Sequence, residues 1–327
     1  MNGGIVMKRF TNILVVCGRE QQPEQALAAA LQIAEQNNAS VTLLQILPPL
    51  SALQTMAKPQ TPEHIEQSYQ SFYLKKLQQL ASQYQDKALI RCKVVTGTGF
   101  IETIRAVLRN QHDLVIKTAE PAGWLQRLFG SQDMHLLRKC PCALWLLKPG
   151  ARLNHGKVVA TIDLNPAGLN RDEDNLNRQI VELAAATATL QGGGLQFLHA
   201  WQPMEAGSVL MWCDNPALAE AELEQSLYQS HQTALGRFQQ QVRDWLGEHV
   251  CSFLRPDYEL LRGEPGQVLA ERIRELAPDL VVMGTVGRTG IAGFLIGNTA
   301  ETILEQLDCS VLTVKPAGFI CPVSVDS

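Results

Sequence analysis

The residues between Gly284 and Thr299 carry the clearest chemistry in this chain. Leu280-Val281-Val282-Met283 is an apolar run that reads as a buried strand. Gly284 and Gly287 follow it in a tight turn, and Gly297 stands just before a helical pattern, Thr299-Ala300-Glu301-Thr302-Ile303-Leu304. Glycine lacks a Cβ and permits positive φ, so a ligand can approach the main chain there. Amide N–H groups at a helix N-terminus point outward with partial positive charge, which suits phosphate. Asn298 and Thr299 add an amide and a hydroxyl at that helix start. The stretch reads as a phosphate cradle of backbone and small polar groups. It is not a Walker A loop, because no Gly-Lys-Ser/Thr follows the glycines, and it is not GxGxxG. For the glycines alone, a plain strand-to-helix connection is the competing reading.

The elements that must position this stretch alternate strand and helix, twice over. Asn12–Gly18, 40–47, 89–95, 113–116 and 143–147 are apolar runs of strand type; 23–38, 61–85, 100–111 and a segment ending at Lys139 carry helical spacing. After Gly150 the series restarts. Strands are expected at 157–163, 195–201, 258–261, 280–283 and 310–314, and helices at 176–190, 215–246, 265–276 and 298–307. The halves also match in residues. Asp113-Leu114-Val115-Ile116 echoes Asp279-Leu280-Val281-Val282, and Leu137 through Pro149 echoes Leu304 through Pro316, with Cys142 opposite Cys309. A repeat of domain length points to a fused pair, with domains at 1–150 and 151–327. The expected fold is α/β: two tandem doubly wound, Rossmann-like, five-stranded parallel sheets. Ligands in such sheets bind beyond the strands' carboxyl ends, where strand order reverses.

Composition narrows the partners. A chain of 327 residues, 46% of them hydrophobic, suffices for two buried cores. The net charge of −4 gives no reason to expect nucleic acid. No apolar run reaches the ~20 residues of a membrane span, and no signal-peptide core opens the chain, so a cytoplasmic protein is expected. The eight cysteines form no CxxC pair, and the seven histidines lack metal spacing. Cys140-Pro141-Cys142 reads as either a redox pair or strand-start packing, and free thiols are expected in a reducing cytosol.

The spacing Gly-x-x-Gly, nine residues, then Gly and a small polar residue resembles the nucleotide signature of the universal stress protein family. The runs 284–290, 297–301 and 135–141 strengthen the resemblance. The signature ends in Gly-Ser or Gly-Thr in the family, and here in Gly297-Asn298-Thr299. The resemblance implies pseudo-two-fold halves whose fifth strands associate inside one chain, an intramolecular pseudo-dimer with room left for a homodimer. It implies ATP or a related nucleotide, with Mg²⁺ arriving on the phosphates. Carried over by position, Asp163 would meet base or ribose. His199 and Ala200 would wall the base. Met283, Gly284 and Gly287 would line the ribose and phosphate turn, Arg288 would add a charge-assisted contact, and Gly297, Asn298 and Thr299 would grip phosphate.

In the first half Gly18 replaces the Asp, and Lys117 or Thr118 and Glu120 or Pro121 replace the first two glycines; only Gly130-Ser131 survives. Residues 1–150 are therefore expected not to bind ATP. The apolar loop with Trp124, Leu125, Leu128 and Phe129 reads as local packing or as a surface for an apolar ligand. No nucleophile–base arrangement can be placed at the site, so a stress-response binding protein without catalysis leads. The alternatives are a scaffold with vestigial sites, a binder of an apolar metabolite, and a slow nucleotide hydrolase.

Overall fold

Two series of apolar runs become two sets of parallel strands. The computed structural model describes residues 10–18, 23–49, 63–120, 130–151, 156–168, 171–203, 214–286 and 296–325. The chain divides into two compact units, 1–153 with 288–296 and 308–327, and 154–287 with 297–307.

In the first unit the order along the chain is β1 (Asn12–Cys17), α1 (Glu24–Asn37), β2 (Ser40–Leu47), α2 (Glu63–Ala81), β3 (Ile90–Thr96), α3 (Gly99–Asn110), β4 (Leu114–Thr118), α4 (Ser131–Lys139) and β5 (Ala143–Leu147). The strands pair in the spatial order β3-β2-β1-β4-β5, all parallel. β1 is buried along almost its whole length because helices cover both faces, which is why it reads as an unbroken apolar run. β3 closes one edge and is only half-buried. The other edge is taken by β10 (Ser310–Val314), the chain's last strand. It runs antiparallel to β5, with Val311 opposite Leu146 and Thr313 opposite Leu144. The fifth strands of the two repeats thus associate, and pairing removes an open edge.

The second unit contains β6 (Lys157–Thr161), α5 (Arg171–Gln191), β7 (Gly194–Trp201), α6 (Pro216–Leu246), α7 (Glu248–Leu254), β8 (Asp257–Arg262), α8 (Pro265–Leu276), β9 (Leu280–Gly284) and α9 (Asn298–Gln306). Its strands pair parallel in the order β9-β6-β7-β8. α7 was not expected from spacing. Gly247 at φ +80° breaks the long helical run and starts a second helix.

The Asp-Leu-Val run echoed in the two halves has a physical cause. Asp113 accepts from Thr11 N at 2.7 Å and Asn12 N at 3.1 Å, which pins the start of β1 to β4. Asp279 does the same for β6, accepting from Lys157 N at 3.0 Å. In each unit a carboxylate satisfies amides at a sheet end that no strand can pair.

His112, beside Asp113, is 4% exposed, and among the described residues neither ring nitrogen has a hydrogen-bond partner. Burial holds its pKa below the ordinary 6.5, with Lys93 and Arg91 pushing the same way and Asn12 and Asp113 opposing. The folded chain therefore binds this proton more weakly than the unfolded chain. Stability is fully present above about pH 6.5 and falls as the solution is acidified below it. Thermal melts from pH 7.5 to 5 should show a falling Tm, and His112→Leu should flatten that slope. An unchanged slope in the variant would assign the acid sensitivity elsewhere.

Candidate functional site

Strand order reverses between β6 and β9: β7 and β8 continue on one side of β6, and β9 lies on the other. Ala160 is opposite Val282, so two residues further the chain reaches Ile162 and Gly284. A crevice beyond these carboxyl ends is where a doubly wound sheet takes a ligand. Asp163, Gly284 and the start of α9 all belong to this end of the second unit.

Asp163 is exposed, and its main chain is held from inside. Asn177 on α5, 5% exposed, accepts from Asp163 N at 3.3 Å and donates its side-chain amide to Asp163 O at 2.7 Å. Beyond it, Asn165 accepts from Ala167 N at 3.0 Å, and Arg237 donates to Pro166 O at 3.2 Å. Asn177 thus fixes the Asp163 main chain at both its N–H and its carbonyl. Sequence reasoning missed Asn177; its one signal is a polar residue inside the apolar stripe of Leu176, Ile180 and Leu183.

His199 takes a different position from a wall beside a base. It is 2% exposed, with Nδ1 at 3.3 Å from Ile162 O and Nε2 at 3.0 Å from His231 Nδ1. A carbonyl only accepts, so Nδ1 carries the proton, and in the neutral pair Nε2 accepts from His231. Trp201 stacks on His231 with centroids 5.6 Å apart. His199 thus anchors the residue preceding Asp163 and belongs to the packed core under the loop. Ala200, the next residue, is half-buried on the other face of β7. Met283 is 1% exposed, so only its backbone can face a ligand.

Gly297 N donates to Thr285 O at 3.0 Å, tying the start of α9 to the end of β9. Gly297 is the N-cap of α9, and among the described residues no side chain caps the helix; Asn298 is exposed and Thr299 half-buried. Gly287 and Arg288 lie outside the described residues. Gly284 has a reason to be glycine besides ligand approach. A Cβ there would lie 3.1 Å from Leu176 Cδ2 and 3.8 Å from Ile180 Cδ1. α5 packs into the notch that the missing side chain leaves.

The first unit fills the corresponding junction with charge. Lys117, 4% exposed at the end of β4, donates to Asp133 Oδ1 at 2.6 Å and Glu120 Oε1 at 2.8 Å. Asp133, fully buried in the first turn of α4, also accepts from Glu120 N at 2.7 Å. Burial raises the Asp133 pKa, and Lys117 opposes that rise. A carboxylate of the chain itself thus occupies the helix start. The apolar loop 124–129 lies outside the described residues.

Strand order and repeat together define a tandem doubly wound α/β protein. The universal stress protein family model matches residues 9–148 and 172–315, and the chain belongs to that family. It is 27% identical to universal stress protein E of Photorhabdus laumondii over 323 residues, covering 97% of this chain and 98% of that one. It is also 27% identical to universal stress protein E of Escherichia coli K12, covering 98% of each. Among solved structures, the fold resembles a functionally unknown protein of Pseudomonas aeruginosa PAO1, with TM-score 0.70, 22% identity and coverage of 95% and 94%. A universal stress protein of Archaeoglobus fulgidus gives 0.59 at 12% identity, covering 95% and 98%.

Two stability predictions follow from these contacts. Gly284→Val should destabilise by about 1–3 kcal/mol through overpacking. Combined with Leu176→Ala it should cost less than the two single changes summed. Strict additivity in urea titrations would remove the packing role. Lys117→Met should cost about 3–5 kcal/mol by stranding buried Asp133, and Lys117→Met with Asp133→Leu should recover most of it. A double variant no more stable than the single would refute the buried pair.

Proposed function

We propose that the second unit binds a nucleoside triphosphate, ATP or a close relative, at the junction of β6, β9 and α9. The protein is then a stress-response nucleotide binder without catalysis of its own. The observation that carries this reading is the uncapped start of α9, fixed to β9 through Gly297 and Thr285 beside the switch point. α6 and α8 spend a side chain on their first turns, Asn215 accepting from Leu218 N and Glu264 from Gln267 N; α4 starts at Gly130 without a side-chain cap as α9 does at Gly297, but its first turn carries the buried Asp133 paired with Lys117.

The residues present fit the group. Asn298 and Thr299 would offer amides, one side-chain amide and one hydroxyl to phosphate oxygens. Asp163, on its clamped loop, would accept from ribose hydroxyls or an exocyclic amine. Met283 and Gly284 would contribute backbone only. Mg²⁺ would arrive on the phosphates. His199 would act on the ligand through the main chain at Ile162. In the first unit, Asp133 and Glu120 would oppose a phosphate by like charge and by occupancy.

Equilibrium dialysis of the whole protein with Mg-ATP tests the reading. One equivalent should bind per chain. Asn298→Asp should weaken binding at least about tenfold by setting a carboxylate against phosphate, and Asn298→Ser should retain or tighten it. Asp163→Ala should lose affinity with unchanged stability. No uptake at millimolar ATP, by wild type and by Asn298→Ser alike, would leave the scaffold reading. Phosphate release that Asn298→Asp abolishes would show slow hydrolysis, contrary to the absence of catalysis proposed here.

A further inference from the structure

Cys140-Pro141-Cys142 joins α4 to β5 in the first unit. The two sulfurs lie 3.7 Å apart. A disulfide needs about 2.05 Å, so closure asks for less than about 2 Å of travel within a connection of three residues. Pro141 has no N–H, so the segment gives up no ladder hydrogen bond there. Cys140 is 1% exposed and Cys142 half-buried, so the pair meets solvent from the Cys142 side. The second copy lacks this arrangement: Leu307 stands opposite Cys140, and Cys309 has no cysteine two residues away.

The chain's own C-terminal segment supplies a cation. Lys315 is 8% exposed, donates to Leu137 O at 2.6 Å, and lies 5.0 Å from the Phe319 ring centroid. Burial pushes its pKa down to about 8, so it is still mainly an ammonium at neutral pH. The contact with the Cys142 sulfur holds Cys140 below the ordinary 9.0 against the opposing effect of burial, and Lys315 adds a smaller push the same way. Thiolates react with oxidants where cationic neighbours stabilise them.

We propose that Cys140 and Cys142 are a reversible modification site, oxidised to a disulfide by hydrogen peroxide. The Cys140 thiolate attacks one peroxide oxygen; an S–O bond forms and the O–O bond breaks. The departing hydroxide takes a proton from solvent, leaving a sulfenic acid on Cys140. The Cys142 sulfur then attacks the Cys140 sulfur, the S–S bond forms, and the S–O bond breaks. The Cys142 proton leaves with the hydroxide as a second water. Two thiols lose two electrons and one peroxide becomes two waters, and a dithiol reverses the change. Peroxide is the fitting oxidant because it is little larger than water, and Cys140 is closed to bulky disulfides.

The test treats the intact wild-type protein with equimolar peroxide, blocks remaining thiols, digests, and weighs the peptide carrying both cysteines. It should be unblocked, lighter by two hydrogens, and returned to the blockable form by dithiothreitol. Cys142→Ser, unfolded in dimedone directly after peroxide treatment, should carry the dimedone adduct on Cys140. Both cysteines fully blocked while glutathione in the same tube is oxidised would overturn the proposal. A Cys140–Cys321 link, or no dimedone adduct in Cys142→Ser, would overturn it equally.

Discussion

A parallel strand covered on both faces leaves only its ends to the outside. Each unit of this chain obeys that constraint, and its polar chemistry collects where the strands stop. The amino ends of β1 and β6 are settled by Asp113 and Asp279, which accept from main-chain amides there. The carboxyl ends remain for function, because their loops are free of ladder pairing. The two units then part ways. In one, a helix start is left to backbone and small groups; in the other, Lys117 and Asp133 neutralise each other in the same place.

That divergence shows what a duplicated fold does with a redundant site. A helix N-terminus attracts negative charge whether it comes from a ligand or from the chain. Asp133 supplies it permanently, and Lys117 keeps the buried carboxylate from standing alone. A pair of this kind adds little net stability compared with an apolar filling, but it is costly to break. The second unit holds the loop at this end by other means, chiefly Asn177 and His199, which bond the main chain of Asp163 and Ile162.

Much of the architecture was legible because buried parallel strands are continuous apolar runs, and because the repeat offers each element twice. The Asp-Leu-Val echo was visible as a pattern before its role as a strand clamp was known. The glycines at 284 and 297 were legible as backbone exposure, yet Gly284 also answers to Leu176 across the helix–sheet interface. That contact depends on how α5 sits on the sheet, and residue spacing carries no such register. For the same reason His199 reads as a pocket wall in sequence and is a core residue bonded to His231, 32 positions away. Nothing in the sequence around Asp133 announces that it pairs with a lysine sixteen residues earlier.

The antiparallel seam of β10 on β5 reaches into the chain's birth on the ribosome. The amino-terminal half emerges first, yet its last sheet edge finds a partner only after residue 314 has been synthesised. Through most of translation β5 offers a bare row of amides and carbonyls to any passing strand. That edge stays open until β10 itself has been made. Premature stop codons late in the message should injure the half that was made first.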